Sequence, residues 1–272
     1  MRIAVVAPST PIEPALAQRV AALAAERRPG VELVFHPQCF LVHNHFAGDD
    51  RARADALVEA ANDPAVDAVW FARGGYGSCR IAEEVLARLG PAARDKTFLG
   101  YSDAGYLLAG LYKAGIGTVA HGPMPRDLVR DGGEAAVVRA LDWLAMRSPE
   151  TLEPSIAQGA KAAAFNVTVF AHMIGTPLQP DLGGHVLMLE DVAEHLYRTD
   201  RAMFHITSSP EVRRVAGIRL GRCTEIPGND PDFGETEEEI VRFWCGRSGI
   251  AYLGRADIGH DSDNMVVPFG AG

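Results

Sequence analysis

The sequence predicts an α/β fold in two parts: a parallel sheet covered by helices on both faces over residues 1–150, and a smaller α+β part over residues 151–272. Three observations carry this. Short apolar runs alternate with helix-period segments through residue 146; a proline-bearing stretch without sustained period follows; beyond it, strands and helices recur without strict alternation.

In the first part RIAVVA is a strand, followed by a helix around 13–28, the strand VELVFH and a helix from Asp50 to Asn62. DAVWFA, a helix near 79–89, TFLGY, a helix over 103–114 and GTVAHG continue the alternation, and a helix from Gly133 to Met146 closes it. RSPETLEPSIAQGAKAAA reads as a linker, with the boundary near residue 150. Then come a helix around 166–174, the strand HVLMLED, a helix over 193–207 and the strand VRRVAGIRLG. An acidic helix over 235–246 precedes IAYLGRA and NMVVPFG.

The 272 residues carry 26 basic and 35 acidic side chains, a net charge of −9, which argues against a nucleic-acid partner because phosphate-backbone binding needs a basic face. No apolar run approaches the roughly 18 residues of a membrane span, and MRIAVVAPST lacks the features of a secretory signal, so a cytoplasmic protein is expected. Cys39, Cys79, Cys223 and Cys245 form no CxxC pair. Neither disulfides nor a metal site is expected.

Parallel sheets gather binding groups at the carboxyl ends of their strands, which selects the loops APST (7–10), ARGGYGS (72–78) and GYSDAG (100–105). In the last, Ser102 sits where strand becomes helix, between the small residues Gly100 and Ala104. Such a turn exposes a nucleophilic hydroxyl, and the N–H groups of the following helix can hold an oxyanion. A helix cap by Ser102 or Asp103 is the competing reading. The glycines of ARGGYGS let a ligand approach the backbone, but no G-x-G-x-x-G follows a strand, so no dinucleotide cofactor is expected. Spacing does not choose among nine histidines; His260 stands out in the turn-rich IGHDSDN after a strand. Glu190, ending HVLMLE, is placed to orient an imidazole, the competing reading of Glu190-Asp191 being a helix cap or ordinary solvated charge.

Taken together, APST, ARGGYGSCR, GYSD, HGPM (121–124), GTPLQPDLGGHVLMLEDV (175–192), YRTDR (197–201), VAGIRLGR (215–222) and IGHDSDNMVVPFG resemble the L,D-carboxypeptidase family of serine peptidases. This family includes muramoyl-tetrapeptide carboxypeptidases and microcin C self-immunity proteins. The resemblance implies a doubly wound N-terminal domain, a C-terminal α+β domain with a barrel-like sheet, and a homodimer. It implies Ser102 as nucleophile, Glu190 and His260 as its partners, and an oxyanion hole from the backbone of Asp103 and Gly75. It further implies that Arg73, Gly74, Tyr76 and Asn166 contact the substrate. The implied substrate is a small peptide, a cell-wall tetrapeptide cut before its terminal D-residue, or alternatively a peptidyl-nucleotide conjugate; a non-catalytic binding module on this fold is the rival from another class.

Three departures from the family pattern stand out. AAFNVTVFAHMIGTP stands where many relatives carry a glycine-rich stretch, and a different cleft wall near Asn166 is expected; Ala104-Gly105 follows the elbow where Ile-Thr is common; and Gly272 comes soon after VVPFG, where relatives often continue.

Overall fold

The computed structural model describes residues 1–270. The chain runs β1 (Arg2–Val6), α1 (Pro14–Arg27), β2 (Glu32–Phe35), α2 (Asp50–Asn62), β3 (Ala68–Phe71), α3 (Ser78–Arg88), β4 (Thr97–Gly100), α4 (Gly105–Ala114), β5 (Thr118–His121) and α5 (Gly133–Met146). It continues through α6 (Pro154–Ala157), β6 (Ala162–Asn166), α7 (Val167–Met173), β7 (Val186–Val192), α8 (Leu196–Ser208), β8 (Gly217–Thr224), α9 (Glu237–Ser248), β9 (Tyr252–Arg255) and β10 (Val267–Pro268).

The first sheet has the order β10-β5-β4-β3-β1-β2 and is parallel except for β10. Its central strands are continuous apolar runs because both faces are covered; all of Ala68–Phe71 is buried. Helix starts follow local chemistry: Pro14 opens α1, Asp49 accepts from the Ala52 N–H at 2.7 Å ahead of α2, and Thr236 with Glu239 forms a capping box for α9.

The second sheet has the order β6-β7-β8-β9 and is parallel throughout, more regular than the α+β pattern read from its sequence. The expected linker is also shorter. Its last three alanines begin β6, which pairs with β7 from Ala162 opposite Val186 to Asn166 opposite Glu190. Alanine has little strand preference, which hid this strand, but its small side chains are wholly buried where the two sheets meet. Likewise the expected helix at 103 begins as a short 3₁₀ turn, Ser102–Ala104, before α4.

The end of the chain joins the two sheets. Strand β10 pairs antiparallel with β5, the Phe269 N–H donates to the Val119 carbonyl at 2.8 Å, and the Gly270 N–H donates to the Ala162 carbonyl of β6 at 2.9 Å. Phe269 packs its ring 5.1 Å from Phe165 of β6 and 5.6 Å from Tyr112 of α4. The loop just before β10 is thereby returned to the carboxyl ends of β4 and β5. Among the described residues no helix is long and apolar enough to cross a membrane.

Because Phe269 is buried between elements of both sheets, Phe269→Ala should lower unfolding free energy by about 3–5 kcal/mol, the usual cost of emptying a core aromatic site. Denaturant unfolding of the two proteins checks this; a loss below about 1 kcal/mol would mean the sheets do not depend on this seam.

Candidate active site

Every predicted loop lies at the carboxyl ends of the parallel strands. Ser102, directly past β4, has φ +59°, a left-handed conformation that costs a non-glycine residue roughly 1–2 kcal/mol. The strain is held by Asp103, whose buried carboxylate accepts from the Ser9 hydroxyl in the loop after β1 and from the Ser78 N–H at the start of α3, the latter at 2.8 Å. Burial raises the Asp103 pKa, with these hydrogen bonds opposing the rise. The Asp103 side chain therefore anchors the elbow, while its N–H, second in a 3₁₀ turn, has no intrahelical acceptor.

The turn after β3 lies against the serine. A Cβ built on Gly74 would stand 2.8 Å from Ser102 Oγ, so only glycine fits there. The Gly74 carbonyl accepts from Thr10 Oγ1 at 2.7 Å, and Gly75 adopts φ +115°. Among the described residues the Gly75 N–H has no hydrogen-bond acceptor. The Asp103 and Gly75 N–H groups are thus two unengaged donors in the loops next to Ser102.

Glu190 and His260 meet from different elements. His260 Nδ1 lies 2.6 Å from Glu190 Oε2, with Glu190 fully buried and His260 nearly so. A bulge makes room for this pair: Leu189 of β7 opposes Leu220 and Asp191 opposes Cys223, so Glu190 faces two residues of β8, Gly221 and Arg222. A Cβ on Gly221 would lie 2.6 Å from the Ile258 carbonyl and 2.9 Å from Glu190 Cβ. The His260 loop is held by the Arg222 N–H to the Ile258 carbonyl (2.8 Å), the Arg222–Asp261 ion pair, and Arg139 of α5, which donates to the Ser262 and Asn264 carbonyls.

Burial on its own would lower the His260 pKa, but the adjacent Glu190 charge and hydrogen bond outweigh it, and the value lies above the ordinary one. Asp191 points elsewhere. It accepts from Asn166 Nδ2 at 2.7 Å and from its neighbour Val192 N–H at 2.9 Å, and burial with the nearby Glu190 charge pushes its pKa up to about 6.

Ser102 stands between two cavities. One of about 260 Å³ is shared with His260, Arg73, Arg126, Arg130 and Asp127. The other, about 600 Å³, is lined by Tyr76, Tyr106, Asn166, Thr168, Asp191 and others. No direct Ser102–His260 hydrogen bond is present among the described residues; such bonds commonly tighten only around substrate.

The structure thus brings Ser102, Asp103, Gly74, Gly75, Glu190, His260 and Arg73 to one place. Tyr76, half exposed, and Asn166 line the larger cavity, where Asn166 also caps α7 through the Val169 N–H at 3.1 Å. Sequence reasoning missed the supports of the histidine. Tyr101 packs its ring 4.8 Å from His260 and donates to Asp127 at 2.8 Å; His121 pairs with Asn264 Oδ1 at 2.9 Å, and that oxygen also accepts from the Gly259 N–H at 3.2 Å. The motifs GYSD, HGPM and HDSDN contained Tyr101, His121 and Asn264, but contacts 143 positions apart in sequence leave no local signal.

Comparison with known proteins agrees with this architecture. Residues 3–122 match the LD-carboxypeptidase N-terminal domain and residues 161–272 the LD-carboxypeptidase C-terminal domain. A Synechocystis protein bearing a carboxypeptidase name is 33% identical over 250 residues, covering 89% of this chain and 80% of its own. The crystal structure of muramoyltetrapeptide carboxypeptidase from Oxalobacter formigenes superposes with a TM-score of 0.82 at 25% identity, covering 99% of this chain and 93% of that one. MccF in complex with glutamyl sulfamoyl guanosine gives 0.80 at 17% identity over 99% and 91%, a likeness of fold alone. With both family domains matched in order along its length, this chain belongs to the LD-carboxypeptidase family.

Proposed function

We propose that the chain is a serine-type L,D-carboxypeptidase that removes the terminal D-residue from small cell-wall tetrapeptides through an acyl-enzyme. The observation that carries this is a strained serine standing between a small cavity shared with a carboxylate-bound histidine and a larger cavity on its other side. His260 Nδ1 is engaged by Glu190, which leaves Nε2 to take the Ser102 proton as Oγ attacks the carbonyl carbon. The Asp103 and Gly75 N–H groups receive the oxyanion. His260 then returns the proton to the leaving amine, the acyl group stays on Ser102 Oγ, and water activated by the same imidazole releases it.

The cavity sizes favour an exopeptidase. The leaving residue must lie on the His260 side, where about 260 Å³ suits one small amino acid and falls below the roughly 300–1,000 Å³ usual for drug-sized ligands. The larger cavity suits the remaining peptide. This division weighs against a nucleotide leaving group, the chemistry of the peptidyl-nucleotide alternative. A pure binding module would have no need of a buried carboxylate bound to a histidine beside an elbow serine. A cytoplasmic homodimer, as the resemblance implies, belongs to the same proposal.

Mass spectrometry of the products from purified tetrapeptide, tripeptide and peptidyl-nucleotide conjugates tests the reading. Tetrapeptide should lose the mass of one terminal D-residue, and Ser102→Ala should slow this by about four to six orders of magnitude with folding intact. Retention of more than about a tenth of the activity would remove Ser102 from the mechanism.

The rate should also follow the His260 charge. An imidazole must be neutral to accept the serine proton, so kcat/KM should rise with pH through an apparent pKa above the ordinary histidine value of about 6.5, in the direction of the His260 shift. Glu190→Gln removes the charge that raises this pKa, so the profile should move to lower pH while the maximal rate falls severely. An unchanged profile and rate in that variant would reduce Glu190 to a packing residue.

A further inference from the structure

The small cavity beside Ser102 carries more positive charge than catalysis requires. Arg73, Arg126 and Arg130 all line it, and Asp127 is the carboxylate among its lining residues. Asp127 is already engaged: it accepts from Tyr101 at 2.8 Å, from the Met124 N–H at 2.8 Å and from Arg130 Nε at 3.0 Å. Arg73 and Arg126 have no ion pair among the described residues. The Arg73 guanidinium reaches only the Pro11 carbonyl, at 3.2 Å, and its buried Nε has no partner. The Arg126 N–H donates to the Ala72 carbonyl at 3.0 Å, which seats the turn after β5 beside the turn after β3 and brings the two arginines together. Burial lowers the Arg73 pKa, and the neighbouring Arg126 charge lowers it further. In a chain of net charge −9 this is no background effect.

We propose that Arg73 and Arg126 form an anion subsite that grips the free carboxylate of the departing terminal residue. The inference deepens the peptidase reading and rests on it, because His260 places the leaving group in this cavity. Two half-buried guanidiniums present several N–H donors to one carboxylate, and the carboxylate relieves the repulsion between them. Arg130, neutralised by Asp127, shapes the wall. The subsite makes the protein a carboxypeptidase by recognition: a peptide continuing beyond this residue, or ending in an amide, brings no charge to satisfy the pair.

The test compares one tetrapeptide as its free acid and as its C-terminal carboxamide. The wild-type protein should favour the acid by about a hundredfold in kcat/KM, the scale of a partly buried charge pair, and Arg126→Gln should collapse that ratio while Arg126→Lys partly restores it. Equal handling of acid and amide by the wild-type protein would overturn the subsite without any mutation. So would an undiminished ratio in Arg126→Gln. Calorimetric binding of both peptides to Ser102→Ala separates this from the reaction itself. Acid-selective binding that is lost in Ser102→Ala/Arg126→Gln supports the subsite even if no tetrapeptide is cleaved, a result that would sink the proposed reaction alone; binding without acid selectivity overturns the subsite even if cleavage occurs.

Discussion

The contact between Glu190 and His260 is the constraint around which the rest of the molecule is arranged. A carboxylate with no exposure to water is costly unless paired, and the imidazole is its hydrogen-bond partner; the second oxygen, Oε1, has none among the described residues. To bring the two together, β8 bulges opposite Glu190, a glycine stands where any side chain would strike the histidine loop, Arg222 and Arg139 hold that loop from outside, and Asn264 ties it to itself. The Glu190 charge in turn raises the His260 pKa against the effect of burial, which suits the imidazole to the base role proposed for it.

Ser102 belongs to the other sheet, so the constellation depends on how the two sheets are joined. The last strand, β10, pairs with β5 and the following residue reaches β6, and the loop carrying His260 lies just before it. Tyr101, next to the serine, packs against the histidine ring and fixes their mutual approach. The elbow is independently braced by Asp103, which ties three loops of the first sheet together. Each half of the site is thus braced by its own hydrogen bonds, and the seam at β10 and Phe269 relates one to the other.

Much of this was legible in the sequence where chemistry is local. The alternation of apolar runs and helical segments marks β1 to β5, and glycines beside Ser102 mark a turn that needs small residues; in the structure the Gly74 and Gly100 positions leave no room for a Cβ. What spacing alone could not do was select His260 among nine histidines, since its partner Glu190 is 70 positions away; the selection came from the family motifs. Strand β6 escaped because alanines carry little strand preference and lie within a proline-bearing stretch. Arg126 and Asp127 escaped because nothing in PRDL distinguishes a cavity wall from a solvated turn, and their roles arise only when the turn after β5 is set beside Arg73.

The central claim is that Ser102 and His260 act as one unit, and non-additivity of their removal tests it most directly. With single-turnover rates on one tetrapeptide measured for Ser102→Ala, His260→Ala and the double variant, the account predicts that the double variant is no slower than the slower single one, because either loss alone disables the whole proton-relay and nucleophile system. Losses that multiply, each residue contributing its full factor independently, would contradict the account and place His260 in some role apart from activating the serine.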